Sequence, residues 1–149
     1  MNEQLEMVLR ILLAAAMGAL IGWQRERTHK PAGFRTHILI AVGSCLFTAI
    51  SAIAFPTADP SRIAAGVVTG IGFLGAGTIL HRTNVVEGLT TAASIWAIAA
   101  VGMAAGTGLY VICVAATAIV FIVLVLPDPG RNKKSATQDE TKGDKNELS

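Results

Sequence analysis

Two polar clusters interrupt an otherwise apolar chain of 149 residues. The first, Trp23 to His37, gathers Arg25, Arg27, Lys30 and Arg35 around one carboxylate, Glu26, and two imidazoles, His29 and His37. The second runs from His81, Arg82, Asn84 and Glu87 into Gly88-Leu-Thr90-Thr91-Ala-Ala-Ser94, where Thr90, Thr91 and Ser94 give the start of an apolar run a polar face. Guanidinium groups, a carboxylate and hydroxyls in this arrangement suit charge-assisted recognition of a partner. The candidate cluster is therefore Arg25, Glu26, Arg35, Thr36, Thr90 and Thr91. Two structural readings stand beside it. The cations alone would serve as a topology signal, and Thr90 or Thr91 would cap a helix with Glu87 near its positive end.

Metal chemistry and catalysis find little support. A magnesium site wants several carboxylates, yet Glu3, Glu6, Glu26, Asp59 and Glu87 are the only ones before residue 127. His29, His37 and His81 have no Cys or carboxylate at zinc-ligand spacing. There is no G-x-S-x-G elbow and no Walker lysine. The expectation is a non-enzymatic protein with no metal ligands and no cofactor.

The elements that must position the clusters follow from composition. Hydrophobic residues make up 52% of the chain, charged ones 15%, and the mean hydropathy is +0.57. Ten of the 22 charged residues lie after Pro127, so the body is more apolar still. Global disorder, a collagen-like polymer and a disulfide scaffold are excluded. A net charge of +2 is too mild to imply nucleic acid. A hydrocarbon core of about 30 Å takes roughly 20 helical residues, and five apolar runs approach that length: Leu5 to Trp23, Thr36 to Phe55, Ile63 to Leu80, Leu89 to Gly106 and Leu109 to Leu126. The fold class is all-α, a polytopic membrane protein of about five transmembrane helices over residues 1–126. Glu3 and Glu6, with no Lys or Arg before position 10, argue against a cleaved signal peptide.

Basic residues concentrate in the first loop, where Arg25, Arg27, Lys30 and Arg35 contrast with the Arg62 and Asp59 of the next. The positive-inside rule then places the N-terminus outside and the C-terminus in the cytoplasm. Glu6 and Arg10 are spaced for an i,i+4 pair near the external surface. Residues 127–149 alternate charges without apolar periodicity and are expected to form a disordered cytoplasmic tail, with no soluble domain following the membrane part.

Lipid offers no hydrophobic drive for helix association, so small residues mark close packing. Gly18 and Gly22, Gly66 and Gly70, and Gly102 and Gly106 form G-x-x-x-G pairs, and Gly72, Gly75 and Gly77 add a second small face to the third run. That pattern predicts the third helix at the packed centre and the glycine-free fifth at the lipid-facing edge. Gly70, Gly72 and Gly75 also spell G-x-G-x-x-G, but no acidic residue stands near position 95 to hold a ribose, so the dinucleotide reading is rejected. Local unwinding of Gly70 to Gly77 to hold an ion is the other reading of these glycines.

These motifs resemble the MgtC/SapB family of membrane proteins, over most of residues 5 to 110. The resemblance is carried by Gly18-Ala-Leu-Ile-Gly22, Arg25 with Ala32-Gly33-Phe34-Arg35-Thr36, Gly70-Ile-Gly72-Phe73-Leu-Gly75-Ala-Gly77, and Gly88-Leu-Thr90-Thr91-Ala-Ala with Trp96. It implies a multi-pass protein of the bacterial inner membrane. It also implies a link to growth in low magnesium, acid stress and, in some relatives, virulence inside macrophages. The family's best-studied type is regarded as a regulator that restrains the ATP synthase. Two departures limit the transfer: Gln24 stands where the family usually has an acidic residue, and the soluble ligand-sensing domain of longer members has no counterpart here. The expected function is a regulator that binds another membrane protein, such as the ATP synthase, or a second copy within the lipid bilayer. A small transporter or channel for Mg²⁺ or another ion, with the third helix lining the path, is the alternative.

Overall fold

A computed structural model describes residues 2–126 apart from 56, 58, 60, 83 and 84. The expected tail, 127–149, lies outside the described residues. Five helices follow in the predicted order: α1 (Glu3–Arg27), α2 (Phe34–Ala54), α3 (Ser61–Ala76), α4 (Leu89–Gly106) and α5 (Tyr110–Val125). Three of them, α1, α2 and α4, are long and apolar enough to cross a membrane. The other two have 16 residues each, about 24 Å of helix. Large apolar side chains cover the outside, including Leu12, Leu39, Phe47, Phe73, Val111 and Ile122, which suits a lipid bilayer and not water.

Local chemistry sets the boundaries. The Ala- and Leu-rich α1 has Glu3 and Glu6 in its first turn and Arg25 and Arg27 in its last, each favourably placed on the helix dipole. The chain leaves through His29 in the left-handed region and passes Pro31 before α2 begins. The third apolar run does not continue to Leu80 as one helix. It turns at Gly77 and becomes a small antiparallel hairpin, β1 (Leu80–Arg82) with β2 (Val85–Glu87), in which Leu80 faces Glu87 and Arg82 faces Val85. Gly88 closes this hairpin with φ +92 and its α-carbon against the Thr78 carbonyl, where any side chain would collide. Gly88 is also the N-cap residue of α4, and neither Thr90 nor Thr91 caps that helix through its side chain.

The packing centre is α4, not α3. It touches all four other helices, and its stripe Thr91, Ser94, Ile95, Ile98, Val101, Gly102 and Ala105 is buried. Two of the three expected glycine pairs pack against α2, one from α1 and one from α4. A Cβ on Gly18 would stand 2.7 Å from the His37 carbonyl oxygen, and one on Gly22 2.7 Å from the Phe34 α-carbon. On α4, a Cβ at Gly102 would run into the Ala41 carbonyl, and one at Gly106 would lie 2.6 Å from the Cys45 carbonyl. Backbone therefore meets backbone where α1 and where α4 pack on α2, with Ala14, Ile40, Ala41 and Cys45 completing the core. The pair on α3 is different, because nothing lies within 4 Å of a Cβ at Gly66, Gly70 or Gly72. Gly75 alone makes ordinary contact across helices, with Ala92, and Gly77 meets only carbonyls of its own chain turn. The same spacing in three helices gave no indication of which pairs find a neighbour. As its lack of glycine suggests, α5 lies at the edge, burying only Cys113 and Thr117.

At the end of the bundle where α1 starts, Arg10 joins three elements. It pairs with Glu6, donates from Nη1 to the Gly106 carbonyl at 2.7 Å, and from Nε to the Tyr110 hydroxyl at 3.3 Å. The Glu6–Arg10 spacing therefore does form its pair, and the guanidinium also ties α1 to the turn between α4 and α5. Gly108, at φ +81, lies over that guanidinium.

Candidate functional site

At the opposite end, the last turn of α1, the first turns of α2 and α4, and the end of α5 come together. Arg25 prolongs the inward stripe Ala14, Gly18, Ile21 and Gly22, so the helix period aims its head into the bundle, and the residue is only 2% exposed. Its Nη2 donates to the Thr91 hydroxyl at 2.8 Å, while Nε has no partner among the described residues. A guanidinium in this setting is held by a neutral acceptor without a carboxylate, an arrangement that leaves much of its desolvation cost uncompensated.

His37 lies beside this pair. It begins the buried stripe of α2, His37, Ile40, Ala41, Ser44 and Cys45, and is fully buried. Its Nδ1 is 2.9 Å from the Gly33 carbonyl and its Nε2 is 3.1 Å from the Ser94 hydroxyl, which lies 2.8 Å from the Thr91 carbonyl. With a neutral ring, Nδ1–H donates to Gly33, and the single Ser94 proton is shared between the Thr91 carbonyl and Nε2. The chain Arg25–Thr91–Ser94–His37 thus links α1, α4 and α2 through side chains at one level of the bundle.

Gln24 extends the network to α5. Its Nε2 donates to the Leu124 carbonyl at 2.8 Å, and its Oε1 is buried without a partner among the described residues. An ionised carboxylate could not make that donation, so the amide at position 24 has a task that an acidic residue there would not perform. Glu26 does not replace such a group. It is exposed, and its Oε2 accepts from the Phe34 N–H at 2.8 Å, which satisfies an orphan donor in the first turn of α2. The Arg27 guanidinium lies 3.9 Å from the centre of the Trp23 ring.

Of the six residues that the sequence groups together, Arg25 and Thr91 meet. Glu26 turns to the start of α2, and Arg35, Thr36 and Thr90 are exposed. Thr36 lines an apolar recess of about 370 Å³ with Pro31, Leu39, Leu74 and Thr78. The six therefore do not form one contiguous site. His37, Ser94 and Gln24 are the members that sequence reasoning left out of the cluster. The signal for the first two was spacing, since both lie on the apolar stripe of their own helix. Among the described residues, no group of three or more His, Cys, Asp or Glu is placed to hold a metal ion.

Comparison with known proteins gives a consistent outcome. Residues 11–132 match the model of the MgtC family. Protein MgtC of Brucella abortus is 47% identical over 112 residues, covering 75% of this chain and 46% of that protein. Protein SapB of Bacillus subtilis is 43% identical over 114 residues, 70% of this chain and 49% of the relative. YhiD of Escherichia coli K12, whose name makes it a candidate magnesium transporter, is 46% identical over 127 residues, 80% of this chain and 59% of its own. The chain thus spans about half the length of the curated relatives it matches. No solved structure matches it.

Proposed function

The chain belongs to the MgtC family, and on that premise we propose a multi-pass protein of the bacterial inner membrane that works without catalysis. In this reading it binds and regulates another membrane protein, such as the ATP synthase, during magnesium limitation and acid stress. The Arg25 end faces the cytoplasm, because Arg25, Arg27, Lys30 and Arg35 gather there.

One observation carries the reading. Apart from Arg25 Nε and Gln24 Oε1, the buried polar side-chain atoms among the described residues are hydrogen-bonded within the bundle, whereas α3 turns a row of small residues outward. Ala65, Thr69, Gly72 and Ala76 recur at helical spacing, all are exposed, and Phe73 beside them is 81% exposed. A helix surface of this kind lets another membrane helix approach closely. Within the core the hydroxyls turn back on their own helices: Thr48 donates to the Ser44 carbonyl and Thr117 to that of Cys113. The buried position of Arg25 changes one part of the expectation. Arg25 holds helices together inside the chain, and Arg35 is the exposed cation left to meet a partner.

The rival reading is transport of Mg²⁺, favoured by the name that the Escherichia coli relative bears. Two measurements separate them. A photocrosslinking residue at Phe73 gives a discrete protein adduct in native membranes if α3 docks a partner. Purified protein in liposomes then passes no more Mg²⁺ than empty liposomes. Flux above that background, with no adduct at Phe73, would make the chain a transporter.

A further inference from the structure

We propose that the groove between α2 and α3 holds one acyl chain of an anionic phospholipid whose phosphate is met by Arg35 and Lys30. Apart from Arg35, which both readings use, this inference is separate from the protein partner argued above, which uses the opposite face of α3. The two helices diverge and leave an apolar recess of about 380 Å³ with Gly43 on one wall and Gly66 and Gly70 on the other. A Cβ at any of these three glycines would meet nothing within 4 Å. Leu39, Ile40 and Leu74 line both this recess and the one that reaches Thr36 and Thr78, so the two form a continuous track.

Length and charge choose the occupant. From Thr36 to Phe47 the track follows α2 for 11 residues, about 16 Å, which is close to half of a hydrocarbon core of about 30 Å. With the charged edge of the bundle at the headgroups, that length reaches about the depth of one leaflet. Arg35 heads the i,i+4 row Arg35, Leu39, Gly43 and Phe47, and Lys30 precedes Pro31 at the mouth. Among the described residues the only ion pair is Glu6–Arg10, at the other end of the molecule. Glu26, the carboxylate nearest in sequence, is turned to the Phe34 N–H. Arg35 and Lys30, each next in sequence to a residue that lines the mouth, Thr36 and Pro31, thus have no carboxylate partner among the described residues. Basic groups so placed between membrane helices recognise anionic headgroups. A second protein helix, about 10 Å across, would be wide for recesses of this volume, whereas an acyl chain is slim.

The test is native mass spectrometry of the full chain released from vesicles of phosphatidylglycerol and phosphatidylethanolamine in equal amounts. The expected result is one retained phosphatidylglycerol per chain. Arg35→Gln, at an exposed position, lowers the preference for the anionic lipid about fivefold, the factor expected for one basic residue near a headgroup. Gly70→Leu and Gly43→Leu, introduced separately, fill the slot from either wall and remove the retained lipid while leaving the melting temperature unchanged. Equal retention of both lipids by the unmodified protein overturns the proposal. So does a lipid count unaffected by both leucines. If the leucines instead split a dimer without changing the lipid count, the groove belongs to a second copy and the proposal fails.

Discussion

Replacing Thr91 by Val exchanges a hydroxyl for a methyl of similar shape and removes the one side-chain acceptor that Arg25 has among the described residues. The guanidinium then stays buried with both Nε and Nη2 unpartnered, because its helix stripe continues to aim it inward. A hydrogen bond to a charged group is worth about 1.5–3 kcal/mol, and each 1.4 kcal/mol is about tenfold in an equilibrium constant. Thr91→Val should therefore raise the open population roughly ten- to a hundredfold. Cys45 and Cys113 are suitable reporters, since both are free thiols and fully buried. Their alkylation rate by a maleimide in detergent micelles follows the open population when closing is fast. The control is the neighbouring residue: Thr90 is exposed, so Thr90→Val should change stability by no more than about 0.5 kcal/mol. Equal alkylation rates in the two variants would refute the clamp between Arg25 and Thr91.

Gly102→Ala pushes a methyl into the Ala41 carbonyl and should cost about 1–3 kcal/mol, whereas Gly66→Ala meets open space and should be neutral or slightly stabilising; thermal melts in detergent compare them directly. Ser94→Ala leaves His37 Nε2 buried with no acceptor or donor beside it, at a cost of about 1–3 kcal/mol in the same melts. Asp59, in the loop before α3, accepts from the Ser61 N–H at 2.9 Å, and its hydrogen bonds with Ser61 hold its carboxyl below the usual Asp value. A carboxyl whose folded pKa is depressed contributes stability above its unfolded pKa and loses that contribution as pH falls through the folded one. Amide exchange at Ser61 and Arg62 should therefore be unaffected at neutral pH and accelerate only in acid below the normal Asp range.

Much of the architecture could be read from the chain because membrane helices announce themselves by apolar length. All five runs became helices, and the largest differences in extent were the first, which continues to Arg27, and the third, which ends at Ala76 and leads into a hairpin starting at Leu80. Val85 and Val86 favour strands and Gly77 breaks the helix, but within an apolar stretch neither outweighs the pattern of length. The location of the centre was not legible. Gly18, Gly66 and Gly102 stand in the same local motif, and only the three-dimensional path of α2 decides that the first and last of these are filled. The candidate cluster shows the same division. Arg25 and Thr91 were identifiable as a cation and a hydroxyl at matching helix ends, yet their burial depends on which stripe each helix turns inward. His37 was weighed only as a metal ligand, so its place on the α2 stripe went unused.

The reach of α1 across the sequence bears on how such a protein is made. Arg10 finds the Tyr110 hydroxyl and Gln24 finds the Leu124 carbonyl, each 100 positions further along the chain. The helix α1 thus has two of its polar anchors on α5, which leaves the ribosome well after it. Until then, both side chains must be tolerated by lipid, by the insertion machinery or by other polar groups. A nascent chain stopped before α5 would present those unfinished contacts to membrane quality control, so α1 settles only once α5 has been made.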